Sequence, residues 1–474
     1  MLLVGRKKEQ MLLADCLSSP RPEFLAVYGR RRVGKTYLIR QYFNDRFSFY
    51  ATGEFSEKTR NQLKLFHEQL RKYGWSSGTV SKDWLEAFSR LRDLLEQPDV
   101  YRDPSGKRIV FLDEVPWMDT ARSDFRSALD YFWNSWGSAQ PDLILIVCGS
   151  ATSWIIEHLL DSRGGFYNRI IRQIHVKPFC LNECELLCSA NGLALTRPQI
   201  LEVYMILGGI PYYLNLLNPR FSLPQNIQEM CFQDTSPLRY EYPRLFNSLF
   251  RNPEKHLAVI QAAASRRSGI TRKELAQLPA IGNGENLTKT LSELEQCGFL
   301  RKYRSSAAEK NGLLYQIIDP FVLFSLHFLQ NNQIHSWTSF NGTPAYYAWK
   351  GNAFETLCLN HVEQIKTALE IRGVETEEYA WRSRASSPGV QIDLLIDRRD
   401  NVINLCEMKC TDQPFIIDAS YERQMLEKLA VFRAESKTKK AVHLTMISAS
   451  GLFHNAHAGI ILNEITGDDL FSSY

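Results

Sequence analysis

The chain has 474 residues, of which 44% are hydrophobic and 23% are charged, and its formal net charge is +4. This composition excludes a disordered or fibrous protein, and the length predicts about three domains. The apolar stretches are far shorter than the roughly 18 residues that cross a membrane, and the N-terminus lacks the pattern of a secretory signal. We therefore expect a cytoplasmic multi-domain protein with no membrane partner, and the small net charge does not by itself indicate nucleic acid.

A phosphate-binding motif follows the first apolar segment. Residues 24–28 have the pattern of a short buried strand, and the sequence GRRRVGKT and a helical pattern come directly after them. A P-loop requires this order, because the N–H groups of the loop and the positive end of the helix bind phosphates. We predict that Lys35 reaches the terminal phosphates of ATP and that Thr36 binds Mg²⁺. The predicted nucleotide-binding residues of this segment are Gly29, Arg30, Arg31, Arg32, Val33, Gly34, Lys35, Thr36 and Tyr37.

Two further apolar strands carry polar residues at their carboxyl ends. One strand ends in Asp113 and Glu114, and another, beginning at Leu143, leads to Ser150. We predict that Asp113 is a ligand or close neighbour of Mg²⁺, that Glu114 polarises the attacking water and that Ser150 senses the γ-phosphate. A solvated strand end is the alternative for the two acids, and a turn residue is the alternative for Ser150.

These motifs resemble those of the archaeal-type P-loop ATPases, which belong with the AAA+ and STAND enzymes. The resemblance rests on Gly5-Arg6 with Glu9, on GRRRVGKT, on FLDEVPWM and on GGIPYYL. It implies a parallel-sheet ATPase core over residues 1–180, followed by a helical lid over residues 181–248. In that lid, the resemblance places Pro211 in a Gly-x-Pro element that senses the bound nucleotide.

The resemblance also implies an arginine that reaches a phosphate across a subunit interface. The stretch GGFYNR ends at Arg169, which is our arginine-finger candidate, and Arg172 follows closely. A surface salt bridge is the alternative for these side chains. We therefore expect a homo-oligomer with its nucleotide sites at or near subunit interfaces.

Residues 249–320 have the pattern of a winged helix, in which helices are followed by two strands joined by a polar turn. Lys and Arg outnumber Glu locally, so that the second helix with Lys289 is predicted to enter a DNA groove. The wing residues predicted to contact phosphates are Arg301, Lys302 and Arg304. A protein contact or a rigid spacer is the alternative, and a helical linker over residues 321–346 follows.

Residues 347–474 contain two paired strands that carry Asp and Glu-x-Lys. Asp393 lies on the first strand, and Glu407 and Lys409 share one face of the second because strand side chains alternate. With Glu355 from a preceding helix, these carboxylates are predicted to bind Mg²⁺ or Mn²⁺. Lys409 would then orient or deprotonate a water that attacks a phosphodiester.

This pattern looks like the core of the PD-(D/E)xK nucleases, the restriction-endonuclease-like fold that archaeal-type ATPases commonly carry at this place. The Pro that often precedes the Asp is absent here. The resemblance places accessory contacts on the following helix, at Tyr421, Gln424 and Lys428. The alternative is a structural salt bridge between Lys409 and a carboxylate, in a domain that no longer cuts.

The sequence thus predicts an α/β multi-domain protein that hydrolyses ATP and couples it to metal-dependent cleavage or processing of DNA, with mobile or invading DNA as its setting. The alternative is an ATP-driven oligomeric switch whose nuclease-like domain is inactive and only binds nucleic acid or protein. A motor or chaperone acting on protein is a third possibility. Metal-dependent nicking separates the first hypothesis from the other two.

Overall fold

The computed structural model describes residues 3–55, 57–76, 78–161, 170–250, 252–266, 269–282, 284–304, 313–330, 334–383 and 389–473. The chain divides into two compact units, Met1–Lys177 and Pro178–Tyr474. This division falls close to residue 180, the predicted end of the ATPase core. In the described ranges, every helix is too short or too polar to cross a membrane.

A five-stranded parallel sheet forms the centre of the first unit. Its strands in chain order are β1 (Glu23–Tyr28), β2 (Phe49–Thr52), β3 (Arg108–Asp113), β4 (Leu143–Gly149) and β5 (Arg172–His175). Across the sheet the order is β2-β3-β4-β1-β5, so β4 lies between β1 and β3. Because parallel strands end at the same edge, the segments that follow β1, β3 and β4 lie next to one another.

The helices of the first unit pack on this sheet. In chain order they are α1 (Lys7–Ser18), α2 (Lys35–Tyr42), α3 (Thr59–Lys72), α4 (Trp84–Leu95), α5 (Val115–Met118), α6 (Phe125–Ser135) and α7 (Thr152–Ile155). β3 and β4 are buried along their whole length, as expected for parallel strands. Leu63, Phe66 and Leu70 of α3 recur at helical spacing and enter the core. The predicted parallel α/β core is confirmed.

The second unit begins with five helices. They are α8 (Leu181–Ala190), α9 (Arg197–Leu207), α10 (Pro211–Leu214), α11 (Leu223–Cys231) and α12 (Glu241–Leu249). The backbone N–H of Leu181 donates a 3.1 Å hydrogen bond to Nε2 of His361, a fully buried residue far along the chain. This bond satisfies a donor that the first turn of a helix leaves without an intrahelical partner.

A small antiparallel sheet follows these helices. Its elements in chain order are α13 (Glu254–Ala264), β6 (Ile270–Thr271), α14 (Arg272–Ala276), α15 (Glu285–Gln296), β7 (Leu300–Arg304) and β8 (Leu313–Ile317). The strand order is β6-β8-β7, which leaves β7 at one edge. Helices followed by two paired strands are the element order predicted from the sequence of this segment.

The last part of the chain is built on a mixed five-stranded sheet. Its elements are α16 (Pro320–Phe324), α17 (Trp337–Phe340), α18 (Pro344–Asn360), α19 (Val362–Ala368), β9 (Thr376–Arg382), β10 (Gln391–Arg398), β11 (Val402–Lys409), β12 (Phe415–Ile416), α20 (Ala419–Ser436), β13 (Ala441–Ser448), β14 (Leu452–Phe453) and β15 (Asn463–Thr466). The sheet order is β15-β13-β11-β10-β9, and β12 pairs with β14 separately. α20 connects β11 to β13 and packs Met425 and Phe432 into a core with Leu395 and Leu405.

Candidate functional site

The loop after β1 has the backbone geometry that the glycines of the motif allow. Gly29 has a φ of 145° and Gly34 a φ of 90°, both in the region that favours glycine. A Cβ atom on Gly29 would lie 2.2 Å from the carbonyl oxygen of Val176, so a larger residue does not fit there. α2 begins at Lys35 directly after Gly34, which brings the positive end of the helix to the loop.

Lys35 is buried and anchored at two points. Its Nζ atom donates to the carbonyl oxygen of Arg30 at 3.0 Å and to the hydroxyl of Ser150 at 2.9 Å. An ammonium group has three N–H donors, so one is left over for a phosphate oxygen. Lys35 and Ser150, which are each predicted to act at the phosphates and are 115 positions apart in sequence, therefore meet at the carboxyl edge of the sheet.

The predicted Mg²⁺ residues also meet. The hydroxyl of Thr36 donates to Oδ2 of Asp113 at 2.7 Å, and Oδ1 accepts from the backbone N–H of Glu114 at 3.0 Å. Burial raises the pKa of Asp113 above its ordinary value, the charge of Glu114 adds to the shift, and the hydrogen bond from Thr36 opposes it. A divalent cation at this carboxylate would reverse the balance, because its charge favours the ionised form.

Glu114 is held on Ser150 in this structure. Its oxygens accept from the backbone N–H of Ser150 at 3.0 Å and from the Ser150 hydroxyl at 2.5 Å. Glu114 has a φ of 48°, an uncommon left-handed conformation for a non-glycine residue. Because the Ser150 hydroxyl has a single proton, it cannot donate to Glu114 and to a phosphate oxygen at once. Contact between Ser150 and a phosphate would therefore release one oxygen of Glu114.

The remaining predicted loop residues differ in their surroundings. Arg30 and Val33 are buried, whereas Arg31 is exposed and Tyr37 keeps 40% of its surface exposed. Arg32 has a φ of 73° and so contributes to the turn of the loop. The side chains of this segment thus share no common environment. The phosphate contacts that we predict for the segment are made by its backbone N–H groups.

Arg6 is a contributor to this site that the residue-by-residue prediction did not include. Its Nη2 atom donates to the carbonyl oxygen of Val33 at 2.9 Å, and its Nη1 atom lies 3.5 Å from Oε1 of Glu9. Gly5 and Arg6 have φ values of 65° and 56°. The sequence signal for this role was the Gly5-Arg6 pair ahead of the first strand.

The structure gives different information on the predicted arginine finger, Arg169, and on the predicted lid residue, Pro211. Arg169 lies outside the described residues. Arg172, the neighbouring candidate, lies 3.1 Å from Glu23 and 3.6 Å from Asp15, so the ion-pair alternative accounts for its side chain. Pro211 is the first residue of α10 in the second unit, and its contact with a nucleotide stays a prediction.

A second charged cluster lies on β11 and α20 of the second unit. Oε1 of Glu407 accepts from the Tyr421 hydroxyl at 2.8 Å, and Oε2 accepts from Nζ of Lys428 at 2.8 Å. Nζ of Lys409 lies 3.2 Å from Oε1 of Glu407. Burial raises the pKa of Glu407, but Lys428 and Lys409 more than offset this effect, so the pKa lies below its ordinary value.

Asp393 lies on β10, the strand beside Glu407's strand β11. β10 and β11 are antiparallel, and the pairing extends from Leu394 with Cys406 to Asp397 with Ile403. The register of β10 with β9 shifts between Ile392 and Leu395, so Asp393 lies at an irregularity of its strand. The side-chain nitrogen of Gln391 donates to Oδ1 of Asp393 at 2.7 Å.

Glu355 is not grouped with the other predicted carboxylates, and its catalytic role stays a prediction. In the part of the chain that the structure describes, no group of three or more His, Cys, Asp or Glu side chains is arranged to hold a metal ion. Glu355 lies on α18, where its charge acts on the buried thiol of Cys358, whose pKa is raised mainly by burial. Glu355 therefore does not complete a three-carboxylate site with Asp393 and Glu407.

The predicted phosphate-contacting residues of the middle segment have protein partners. Nζ of Lys289 lies 4.0 Å from Oε1 of Glu293 on the same helix. Nε of Arg301 donates to the side chain of Gln316 at 2.7 Å. Lys302 is exposed on the opposite side of β7. Among these three side chains, Lys289 thus has an acidic partner, whereas the partner of Arg301 is a neutral amide.

Comparison with known proteins identifies the ATPase part of the chain. Residues 3–217 match a family model described as an ATPase domain predominantly from Archaea. An uncharacterized protein of Methanocaldococcus jannaschii is 25% identical over 341 residues, which are 70% of each chain. The matched range extends beyond α10, so it includes the first helices of the second unit.

A solved structure has the same core fold. The Walker-type ATPase of Pyrococcus abyssi is 21% identical with a TM-score of 0.50, covering 69% of this chain and 96% of that one. Cdc6p of Pyrobaculum aerophilum is 15% identical, with coverage of 70% and 96%, but its TM-score of 0.35 is too low to support a conclusion. Residues 3–217 are therefore similar to an ATPase domain predominantly from Archaea, and the chain shares the fold of a Walker-type ATPase.

Proposed function

We propose that this chain hydrolyses ATP with Mg²⁺ and uses the nucleotide state to control a nucleic-acid-directed activity of its second unit. The hydrogen-bonded series from Lys35 through Ser150 to Glu114, beside the bond between Thr36 and Asp113, is the observation that carries the ATPase part. These are the groups that phosphoryl transfer needs, because its catalysis consists mainly of positioning and charge stabilisation.

Each residue has one role in this proposal. The loop of residues 29–34 surrounds the phosphates with its N–H groups, and Lys35 compensates the charge of the terminal phosphates. Thr36 and Asp113 would hold Mg²⁺, which would supply positive charge beside the phosphate oxygens. Glu114, once released from Ser150, accepts a proton from the attacking water.

For the second unit, we propose a winged helix over residues 249–320 and a nuclease-like domain over residues 347–474. Three features support this assignment: the mixed sheet around β11, the crossover helix α20, and the placement of Asp393 and Glu407 on neighbouring strands. In its active form, the proposed site uses the two carboxylates to hold Mg²⁺ or Mn²⁺, and Lys409 to orient a water. DNA is the proposed substrate.

A specific observation favours a second candidate function, an oligomeric ATP-driven switch that binds nucleic acid without cutting it. Glu407 is engaged by Lys409, Lys428 and Tyr421, and a metal ion would have to compete with these donors. These contacts are also those expected of an ion-pair cluster that has only a structural role. The two candidates differ in a single property, which is the metal-dependent breakage of phosphodiester bonds.

The test is incubation of the full chain with plasmid, linear and single-stranded DNA in Mg²⁺ or Mn²⁺, with and without ATP. Lys35→Ala reports on ATP, and Asp393→Ala with Lys409→Ala reports on the second site. Cleavage lost in both variants supports the coupled nuclease. DNA binding without cleavage in any condition supports the switch, and the absence of both binding and cleavage contradicts the nucleic-acid proposal.

A further inference from the structure

The turn after β3 carries Glu114 in a conformation that its own residues do not enforce. Glu114 has a φ of 48°, and the N–H of Trp117 donates to its carbonyl oxygen at 3.0 Å, which closes the turn. The helix that follows, α5, has only four residues. A non-glycine residue keeps a left-handed conformation only where its surroundings fix it. The contacts that other elements make with this turn therefore determine where the side chain of Glu114 lies.

The segment after β2 lies directly against this turn. The N–H of Gly53 donates to the carbonyl oxygen of Asp113 at 2.9 Å. A Cβ atom on Gly53 would lie 2.5 Å from the carbonyl oxygen of Glu114, so the two backbones are in close contact. The rings of Phe55 and Trp117 meet edge to face, with their centroids 4.7 Å apart. The segment after β2 thus forms one wall of the turn that carries Glu114.

Gln62 of α3 joins this segment to the turn through three hydrogen bonds. Its Nε2 atom donates to the carbonyl oxygens of Glu54 at 2.6 Å and of Trp117 at 3.0 Å, and its Oε1 atom accepts from the N–H of Glu54 at 3.1 Å. The side chain is only 2% exposed, so the loss of these bonds would leave buried backbone groups without a partner. The hydroxyls of Thr59 and Thr120, 2.5 Å apart, fasten α3 to the end of the same turn.

The backbone of Glu114 becomes decisive when its side chain leaves Ser150. In this structure, the carboxylate is held by the N–H and the hydroxyl of Ser150. Once Ser150 contacts a phosphate, one carboxylate oxygen is released, and the direction of the side chain then depends on its backbone. A displacement of about 1 Å in a reacting group can slow a reaction about 100-fold. Contacts that fix the turn therefore bear directly on the rate of hydrolysis.

We propose that Gln62 is a positioning residue for ATP hydrolysis, which fixes the turn at Glu114 and so directs the carboxylate towards the attacking water. This inference rests on the proposed role of Glu114 as the base and assigns a further residue to that reaction. Gln62 acts through the backbone of Trp117 and does not itself contact the reacting atoms. Its three hydrogen bonds all go to backbone groups outside the P-loop, so the binding of ATP should not depend on it.

The test is single-turnover hydrolysis of radiolabelled ATP by the full chain, with ATP affinity and thermal unfolding measured on the same samples. Gln62→Met keeps the length of the side chain and removes all three hydrogen bonds. We expect turnover to fall about 10- to 100-fold while ATP affinity is retained. Gln69→Met is the matched control with wild-type turnover, because it makes the same change at a partly exposed position of α3. Thr59→Val removes the bond to Thr120, should cause a smaller loss of turnover, and replaces Gln62→Met if that variant does not fold.

The same substitution in a Glu114→Gln background separates positioning from a general structural role. If Gln62 acts through Glu114, Gln62→Met lowers turnover in the wild type but causes little further loss in Glu114→Gln. Equal losses in the two backgrounds, or wild-type turnover in Gln62→Met, would overturn the role of Gln62 and leave the proposed ATPase in place. Wild-type turnover in Glu114→Gln would instead contradict the proposed base, and the role of Gln62 would fall with it.

Discussion

The ATP site of the first unit and the charged cluster on β10 and β11 both join acidic and basic residues, but their arrangements differ. In the ATP site, Lys35 retains a donor for a ligand, and Thr36 and Asp113 lie together at the edge of the sheet. In the second cluster, the carboxylate of Glu407 is engaged by three donors of its own chain. The presence of acidic and basic residues does not by itself make a binding site. A ligand can bind only where some of their hydrogen-bonding groups are not already engaged by the protein.

The largest effect is expected from Lys35→Ala. Loss of the ammonium should lower ATP turnover on the order of 10³-fold, because charge stabilisation at the phosphates is lost. Phosphate release measures this effect, with Lys72→Ala as the control, since Lys72 is exposed at the end of α3. An equal loss of turnover in both variants would contradict the placement of Lys35 at the phosphates.

Gly209→Ala tests whether the predicted lid motif is fixed by the packing of the second unit. A Cβ atom at this position would lie 1.8 Å from the carbonyl oxygen of Phe179, whose N–H donates to Gly209 at 2.6 Å. We expect a loss of about 3 kcal/mol in the free energy of unfolding, measured with urea. Gly351→Ala is the control, because α18 leaves space around Gly351, and its stability should be unchanged or slightly higher.

Glu407→Gln measures how strongly the second cluster is held together. Folding lowers the pKa of Glu407 below its ordinary value of 4.5. The ionised Glu407 therefore stabilises the folded state at pH values above 4.5. This stabilisation is lost as the pH falls through the pKa of the folded state. We expect Glu407→Gln to cost about 1 to 2 kcal/mol at pH 7. The cost should shrink on acidification in unfolding measurements between pH 7 and pH 3.

The control for this pH dependence is Glu375→Gln. Glu375 and Arg399 form an ion pair at 3.4 Å, but both side chains are 74% exposed. Exposed pairs contribute little, so the free energy of unfolding should change by less than about 0.5 kcal/mol. A pH profile of Glu407→Gln that matches the wild type would show that the cluster does not stabilise the fold.

The smallest effect is expected from Lys289→Gln. Lys289 is 58% exposed on α15, so its loss should weaken DNA binding two- to threefold, about one phosphate contact, and lower the salt dependence accordingly. Lys64→Gln is the matched control, since Lys64 on α3 also lies 4.0 Å from a glutamate one helical turn away. An identical small loss of DNA affinity in both variants would indicate that Lys289 makes no phosphate contact.

The ATP site could be predicted residue by residue because its parts are local or lie at strand ends. The glycines of GRRRVGKT and the apolar strands that end at Asp113 and Ser150 determine that Lys35 meets Ser150 and that Thr36 meets Asp113. The bond between Ser150 and Glu114 was not predictable, since it depends on β4 lying between β1 and β3. Arg6 was not assigned a role for a similar reason, because its partner is a backbone carbonyl.

The second unit was predictable in its strands and less so in its contacts. The alternation on β11 correctly placed Glu407 and Lys409 on one face, and Lys428 is indeed near them on α20. Glu355 does not form a group of three carboxylates with Asp393 and Glu407 in the described residues, so its role stays a prediction. The packing of β7 on β9 joins segments more than 70 residues apart, and no local pattern indicates such a contact.

The most direct test of the ATPase mechanism is the turnover and binding of ATP by Glu114→Gln. An amide keeps the size of the side chain and removes the base, so turnover should fall about 100-fold or more while the affinity for ATP changes little. Glu54→Gln, an exposed acid after β2, should retain wild-type turnover. Wild-type turnover in Glu114→Gln would contradict the proposed role of Glu114 as the base and with it the proposed mechanism of ATP hydrolysis.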